Sequence, residues 1–528
     1  MSRMQHFFRR HPVLYDVLMW SVPALVLGAV LRAMILSYMP YGFWGPDSKS
    51  YFDFAHELIN HHRFEFEEKR RYVYPILMVP LAALPGAPLR WLALLQHALG
   101  LISVLPMAYV MRKSFRLWRW WIVPVTALYV SLPLFLWYEH ELLGEAFFFS
   151  MLLWAFGGWA AWTTTPDPAR ARRLFWWFYV PLAAFLLTKP SGRFLVPGLV
   201  CGFVMLRSWR VLNWRHWTAL VALFAATLTA GARWQAAWLL YVATLPLTQL
   251  DTPAHAEYKA ELRPMVESYV RDIDAYYFFE DERSRGGVSP FYFLKEPSKE
   301  KAPPLWAALD QDEKKKDDLY LSLAIEGIKA KPVTFLYLGL QRLVASAGMA
   351  RFDFTRFTSA SLELRQHEGY TEAENTMKRG KLSGLPLAFG LPKSAPLPPY
   401  DEFSPRLTPA PDGWAERRMV AWAAWLQPYS DLVTLPIPRL DAPASAWSIR
   451  HAHITVLGWW MIGSLLVSFV YWRTLGIWAL AILAYLAGVF VVSIVNVRYF
   501  APAWLVLLPM AMAPLDALFS TLRRRPAA

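Results

Sequence analysis

The sequence predicts an all-α polytopic membrane protein, and three observations carry that expectation. Of the 528 residues, 56% are hydrophobic and only 18% are charged, against about 25% charged in an average soluble protein. Several stretches of about 20 residues hold almost no charge, which is the length that crosses a hydrocarbon core. The net charge of +14 gathers in short basic clusters between those stretches, the positive-inside pattern of integral membrane proteins. A soluble enzyme, a disordered chain and a fibrous one are excluded, and nucleic acid is not needed to explain the basic excess.

The first span, Val17–Tyr38, follows Arg9 and Arg10 and has no small-residue cleavage site, so it reads as a retained anchor. Trp91–Met111, Trp120–Tyr138 and Leu142–Trp162 come next. Two shorter apolar pieces, Leu174–Leu187 and Phe194–Leu206, are joined by Thr188-Lys189-Pro190-Ser191-Gly192-Arg193. Trp217–Leu240, Ile454–Trp472, Leu475–Val495 and Phe500–Phe519 bring the expected crossings to ten. With Arg9 and Arg10 inside, the clusters around Arg112–Arg119, Arg170–Arg173, Arg207–Arg215 and Arg523–Arg525 all fall on the cytoplasmic side.

Three units follow: a transmembrane module over 1–240 with its first external loop at 40–90, an extracytoplasmic region over 241–450, and C-terminal spans over 451–528. Residues 251–330 mix charged and apolar positions and predict amphipathic helices, with Lys314–Asp318 as a solvated face. Eight prolines between Pro386 and Pro411 predict an extended lid or linker. Pro332–Met349 is apolar but interrupted by Arg342, which predicts an interfacial helix, or failing that a pair of extra crossings. The total expected is thus about 10–12 transmembrane helices. Cys201, the single cysteine, cannot form an intrachain disulfide, and no internal repeat is visible.

Chemistry is expected on the outer face. Asp47 follows a Gly-Pro turn just past the first span, with Tyr51, Ala55 and Leu58 recurring at helical spacing behind it. A carboxylate there is a general base for a hydroxyl acceptor, or an N-cap at an interfacial helix. In Tyr138-Glu139-His140-Glu141-Leu142-Leu143-Gly144-Glu145, the last acid falls inside the start of a span and is a functional candidate, whereas Glu139 and Glu141 read as a solvated turn. His56-Glu57-Leu58-Ile59-Asn60 and His140-Glu141-Leu142-Leu143-Gly144 open like a zinc-protease helix, yet neither has the second His four residues on. The pairs His61/His62 and His451/His453 lack a matching ligand set, so no metal site is assigned.

Lys189 and Arg193 flank a turn between pieces of about 14 and 13 residues, too short at about 1.5 Å each for a hydrocarbon core of about 30 Å. The turn should sit at or just below the membrane surface. The two cations there suit a lipid phosphate, with snorkelling as the competing account, and Arg498-Tyr499 stands at a similar level. Arg32, inside the first span, is assigned to snorkelling or helix packing. No Walker loop, GxGxxG fingerprint or GxSxG elbow occurs in a suitable context.

Four stretches resemble the GT-C superfamily of polytopic glycosyltransferases, in the style of protein-mannosyltransferase-like and aminoarabinose-transferase-like bacterial enzymes. They are Pro46-Asp47-Ser48 through Tyr51 and Ala55 with Arg71-Tyr72-Val73-Tyr74-Pro75; the Glu141–Glu145 turn; Leu187-Thr188-Lys189-Pro190-Ser191-Gly192; and Asn496-Val497-Arg498-Tyr499. The likeness covers the first 200 residues and the C-terminal spans, and is weak over 241–450. Where relatives often have Pro-Gly-Tyr-Pro, this chain has Tyr72-Val73-Tyr74-Pro75.

The resemblance implies a GT-C-like bundle in a bacterial inner membrane, with its site facing the periplasm or exterior. It implies transfer of a sugar from a polyprenyl-phosphate donor to a glycan, lipid or protein hydroxyl, with inversion. Asp47 would be the catalytic base, and Lys189, Arg193 and Arg498 would bind the donor phosphate. Tyr51, Arg71, Tyr74, Glu145 and Tyr499 would bind substrate. A divalent cation is left open, no other cofactor is expected, and membrane lipids but no nucleic acid are the partners. Rival readings are a transporter or flippase of lipid-linked sugars and a noncatalytic assembly subunit.

Overall fold

The computed structural model describes residues 11–44, 48–64, 72–206, 208–229, 236–271, 303–348, 354–358, 413–430, 456–470, 477–492 and 497–524. Among these the regular structure is helical, with one isolated parallel bridge between Phe43 and Glu141. The Pro386–Pro411 linker and the His451/His453 pair lie outside the described residues.

The N-terminal helices are α1 (Pro12–Tyr38), α2 (Ser48–His61), α3 (Val73–Ala83), α4 (Pro88–Ile102), α5 (Val104–Lys113), α6 (Ile122–Ser131), α7 (Pro133–His140), α8 (Glu145–Thr163), α9 (Pro168–Leu186), α10 (Val196–Leu206) and α11 (Trp214–Thr229). Four helical stretches are long and apolar enough to cross a membrane: Pro12–Ser37, Pro88–Lys113, Glu145–Thr163 and Phe500–Thr521. A fifth is the pair Arg119–Ser131 and Pro133–His140, bent by 49°. That bend has a local cause. Pro133 brings no amide hydrogen, and Leu132 before it takes an extended conformation (φ −67°, ψ 118°).

The remaining apolar helices are shorter, Val73–Ala83 and Pro190–Met205 among them. The expected span Trp217–Leu240 instead divides into α11 and α12 (Ala236–Thr244), with 230–235 outside the described residues. The structure therefore shows a helical protein with four or five candidate spans.

Down one side of α1, Val22, Val26 and Val30 recur every fourth residue and are 48%, 59% and 50% exposed. An apolar stripe of that kind is costly in water and suits a lipid-facing surface. α1 lays its other side along α4, α5 and α6. α8 and α9 form the closest hairpin, at Gly158, where a Cβ would run into the Trp177 carbonyl and the Phe178 amide. Trp159 and Phe203 stack beside that contact with ring centroids 5.1 Å apart.

A second core lies in α12, α13 (Ala256–Arg271), α14 (Pro304–Ala308) and α15 (Glu313–Ala330). Tyr320 is stacked between Tyr241 and Trp306, at 5.7 Å and 5.8 Å, and the Trp306 indole donates to the Tyr258 carbonyl at 3.1 Å. The amphipathic expectation for 251–330 matches α13 and α15. Of the expected solvated face Lys314–Asp318, Lys314, Lys315 and Asp318 are exposed, whereas Lys316 and Asp317 are half-buried and Lys316 is paired with Asp310 at 2.8 Å.

Lys259, fully buried, donates to Glu326 at 2.7 Å, and the Thr252 hydroxyl also donates to that carboxylate. Burial pushes the Glu326 carboxyl up, but these bonds and the Lys259 charge outweigh it and hold the carboxyl below its ordinary value of 4.5. A depressed carboxyl contributes stability above its unfolded value and loses it as pH falls through the folded one. The melting temperature should therefore drop as pH is lowered from 4.5, and Glu326→Gln should flatten that drop. Identical acid profiles for the two proteins would remove the pair as the cause.

The C-terminal part holds α16 (Pro332–Gly348), α17 (Trp414–Ser430), α18 (Val456–Val470), α19 (Ile477–Val492), α20 (Val497–Met510) and α21 (Met512–Arg524). Arg342, the charge that interrupts the apolar run of α16, is a buried residue of the bundle. It is 1% exposed and donates to the Phe490 carbonyl at 2.8 Å and the Ala243 carbonyl at 2.6 Å. Both oxygens belong to the last turns of helices, where carbonyls have no partner within the helix. α16 is thereby built into the bundle against α18, α19 and α20, while Val333, Leu336 and Leu340 face outward.

Candidate functional site

The chain leaving α1 is tied to the link between α7 and α8. The Phe43 amide donates to the His140 carbonyl at 2.7 Å, and the Leu142 amide donates to the Phe43 carbonyl at 2.9 Å. Ser48, the first residue of α2, is buried and its hydroxyl donates to the Leu142 carbonyl at 3.0 Å. Where α3 begins, the Val73 amide reaches the Leu187 carbonyl at 3.3 Å, just past the end of α9.

These ties bring distant stretches around Gly144. A Cβ there would lie 3.3 Å from Thr188 Cγ2, 3.6 Å from Tyr74 Cγ and 3.8 Å from the Tyr51 hydroxyl. Tyr51 meets Tyr74 edge to face at 5.0 Å, and both are buried. Glu145 opens α8, where the positive end of the helix dipole favours a carboxylate, and it is ion-paired with Lys189. The Tyr74 hydroxyl donates to Gln96 at 2.7 Å, and the Gln96 amide donates to the Glu139 and Glu141 carbonyls.

Four predicted site residues thus meet: Tyr51, Tyr74, Glu145 and Lys189. Arg193 lies in the Pro190–Leu195 turn with its guanidinium 5.7 Å from the Phe194 ring. Arg498 and Tyr499 fall in the first turn of α20, and nothing is described of their side chains. Asp47 and Arg71 lie outside the described residues.

Joined to this cluster through Gln96 lies a buried polar network whose two acids the sequence had read as a solvated turn. Glu139 and Glu141 are 2% and 3% exposed, so neither belongs to a solvated turn. The Glu141 carboxylate accepts from the Trp137 indole at 3.1 Å. Arg32 is 3% exposed, which excludes snorkelling and leaves the expected alternative of helix packing; its guanidinium donates to Glu139 Oε1 at 2.6 Å and to the His97 carbonyl at 3.1 Å. His97 Nδ1 is 2.8 Å from Glu139 Oε2, His97 Nε2 is 3.0 Å from His140 Nδ1, and His140 Nε2 is 2.8 Å from the Tyr41 carbonyl. Gly100 makes room for the Glu139 carboxylate, into which a Cβ would collide.

The proton positions follow from this chain of contacts. The Tyr41 carbonyl can only accept, so His140 Nε2 donates. With His140 neutral its Nδ1 accepts from His97 Nε2, and one proton then lies between His97 Nδ1 and Glu139. The sequence did carry a signal for this network: Arg32 and His97 each interrupt an apolar span, and an ionisable group there calls for a buried partner.

His56, Glu57 and His61 bring three donor atoms within 4.8 Å of one another at the end of α2. The metal reading of the sequence looked for a second His at position 60; His61 lies one residue beyond it.

No family model matches this chain, and neither does any curated protein or solved structure. The helices and the site carry the functional reading by themselves.

Proposed function

We propose that the chain is an integral membrane glycosyltransferase of the GT-C kind. It would move a sugar from a polyprenyl-phosphate donor to a glycan, lipid or protein hydroxyl on the periplasmic face of a bacterial inner membrane. The observation that carries this reading is the gathering of Tyr51, Tyr74, Gly144, Glu145, Thr188 and Lys189 from separate helix ends.

In this mechanism the acceptor oxygen bonds to the anomeric carbon while the bond from that carbon to the phosphate oxygen breaks. The acceptor proton passes to Asp47, and the polyprenyl phosphate leaves with the electron pair. Lys189, Arg193 and Arg498 stabilise the charge that grows on the phosphate. An arriving phosphate competes with Glu145 for Lys189, and the freed carboxylate accepts hydrogen bonds from sugar hydroxyls. Tyr51, Tyr74, Arg71 and Tyr499 line the sugar.

The test is a transfer assay with the purified chain in nanodiscs and a set of polyprenyl-phosphate sugars. Lys189→Ala should raise the donor KM by about tenfold or more, the scale of a charge-assisted hydrogen bond of about 1.5–3 kcal/mol, with the acceptor KM unchanged. Unaltered donor kinetics would take Lys189 out of the phosphate role.

A second reading, a transporter or flippase of lipid-linked sugars, is favoured by the Arg32–Glu139–His97–His140 network among apolar helices. Translocation of a labelled lipid-linked sugar across vesicles, with no new glycosidic bond, would select it.

A further inference from the structure

We propose that His56, Glu57 and His61 form a binding site for a divalent transition ion of the zinc class. The inference stands apart from the glycosyltransferase reading, because it concerns the far end of α2 and needs no donor sugar.

The helix makes the site. Glu57 and His61 are one turn apart and share a face, while His56 is adjacent to Glu57 and 3% exposed. The His56 and His61 rings lie 5.4 Å apart and perpendicular, at 88°, and His56 Nε2 is 4.0 Å from Glu57 Oε1. α2 stops at His61. His62 takes a positive φ of 55°, and the Arg63 amide folds back onto the Glu57 carbonyl at 3.2 Å. The three donors thus sit where the chain reverses, with His61 exposed and Glu57 half-buried.

Their spacing matches what an ion would need after small side-chain rotations. Tetrahedral zinc, with bonds of about 2.0–2.1 Å, sets its ligand atoms about 3.3 Å apart. The donors here lie within 4.8 Å of one another, so each has on the order of 1 Å to close. The buried His56 is the fixed arm, and the exposed His61 and half-buried Glu57 are the movable ones.

The donor set also selects the ion. Two imidazole nitrogens and one carboxylate oxygen suit zinc, leaving a fourth position for water or another oxygen ligand. Magnesium and calcium prefer more oxygen ligands than this helix end supplies. The bound ion would clip the last turn of α2 to itself.

The test uses the full chain in nanodiscs, stripped with a chelator and titrated with Co²⁺. The wild type should develop the visible bands of tetrahedral Co²⁺, and Zn²⁺ should displace them. Because even outer-shell partners change metal affinity by about 10–100-fold, removing a direct ligand by His61→Ala or Glu57→Gln should weaken Zn²⁺ by about 100-fold or more. His62→Ala should keep the bands. Melting temperatures recorded without metal identify any variant that is merely misfolded. Absence of bands in the wild type, or equal Zn²⁺ affinity in correctly folded His61→Ala and Glu57→Gln proteins, would overturn the site. Neither result bears on sugar transfer.

Discussion

Under the proposed function, replacing Asp47 by Asn should cut sugar transfer by orders of magnitude and leave folding and membrane insertion intact. Asn keeps the size of the carboxylate and loses its basicity, so it cannot take a proton from an attacking hydroxyl. General-base assistance contributes about 10²–10⁴-fold to rate, and turnover should fall by that order. The helix that follows has anchors of its own: the Ser48 hydroxyl bonds to the Leu142 carbonyl, and Tyr51 seats against Tyr74. Neither contact involves the charge at position 47. The measurement is transfer from a polyprenyl-phosphate sugar, with the melting temperature taken on the same sample. Full turnover by the Asn variant would remove Asp47 from the chemistry. An unaffected translocation activity, with no transfer by either protein, would favour the flippase.

Glu139→Gln should be among the most destabilising polar substitutions in the chain. Arg32 is buried with Glu139 as its charged partner at 2.6 Å, and His97 leans on the other carboxylate oxygen at 2.8 Å. Removing one member of a buried ion pair leaves an uncompensated charge and costs about 3–5 kcal/mol. Replacing both members by apolar residues of similar volume is far milder. Glu139→Leu combined with Arg32→Met should therefore recover much of the stability that Glu139→Gln loses. Unfolding in detergent across this set gives the comparison. A loss below about 1 kcal/mol for the single variant, the range of an exposed pair, would mean that the carboxylate is hydrated rather than buried.

The helical class and the long apolar helices were legible in the sequence because span length and charge depletion are one-dimensional properties. The arrangement of those helices was not. Glu139 stands among other acids at the end of a span, and nothing in its neighbours along the chain announces Arg32, more than 100 positions away. The turn at Thr188-Lys189 and the acid at Glu145 could each be singled out, but their ion pair depends on how α8 and α9 lie together. His61 was weighed in the sequence only as half of the His61/His62 pair, apart from His56 and Glu57. A motif with a His four residues on demands two ligands one turn apart on a single face, and this chain reaches the same neighbourhood from adjacent residues and a helix end. The partners of Arg342 were equally illegible: a charge in an apolar run looks like a membrane boundary, and only the packing shows that it serves carbonyls at two helix ends.

The glycine contact between α8 and α9 has a bearing on how any head group is admitted. Glu145 and Lys189 stand at the same mouth of that hairpin, and Gly158 welds its two prongs near the opposite end by backbone touching backbone. Prongs joined so tightly do not splay. If the mouth takes an anion, as proposed, space for it would come from the swing of the lysine arm, and the reach of that one flexible side chain would gauge what the mouth can hold.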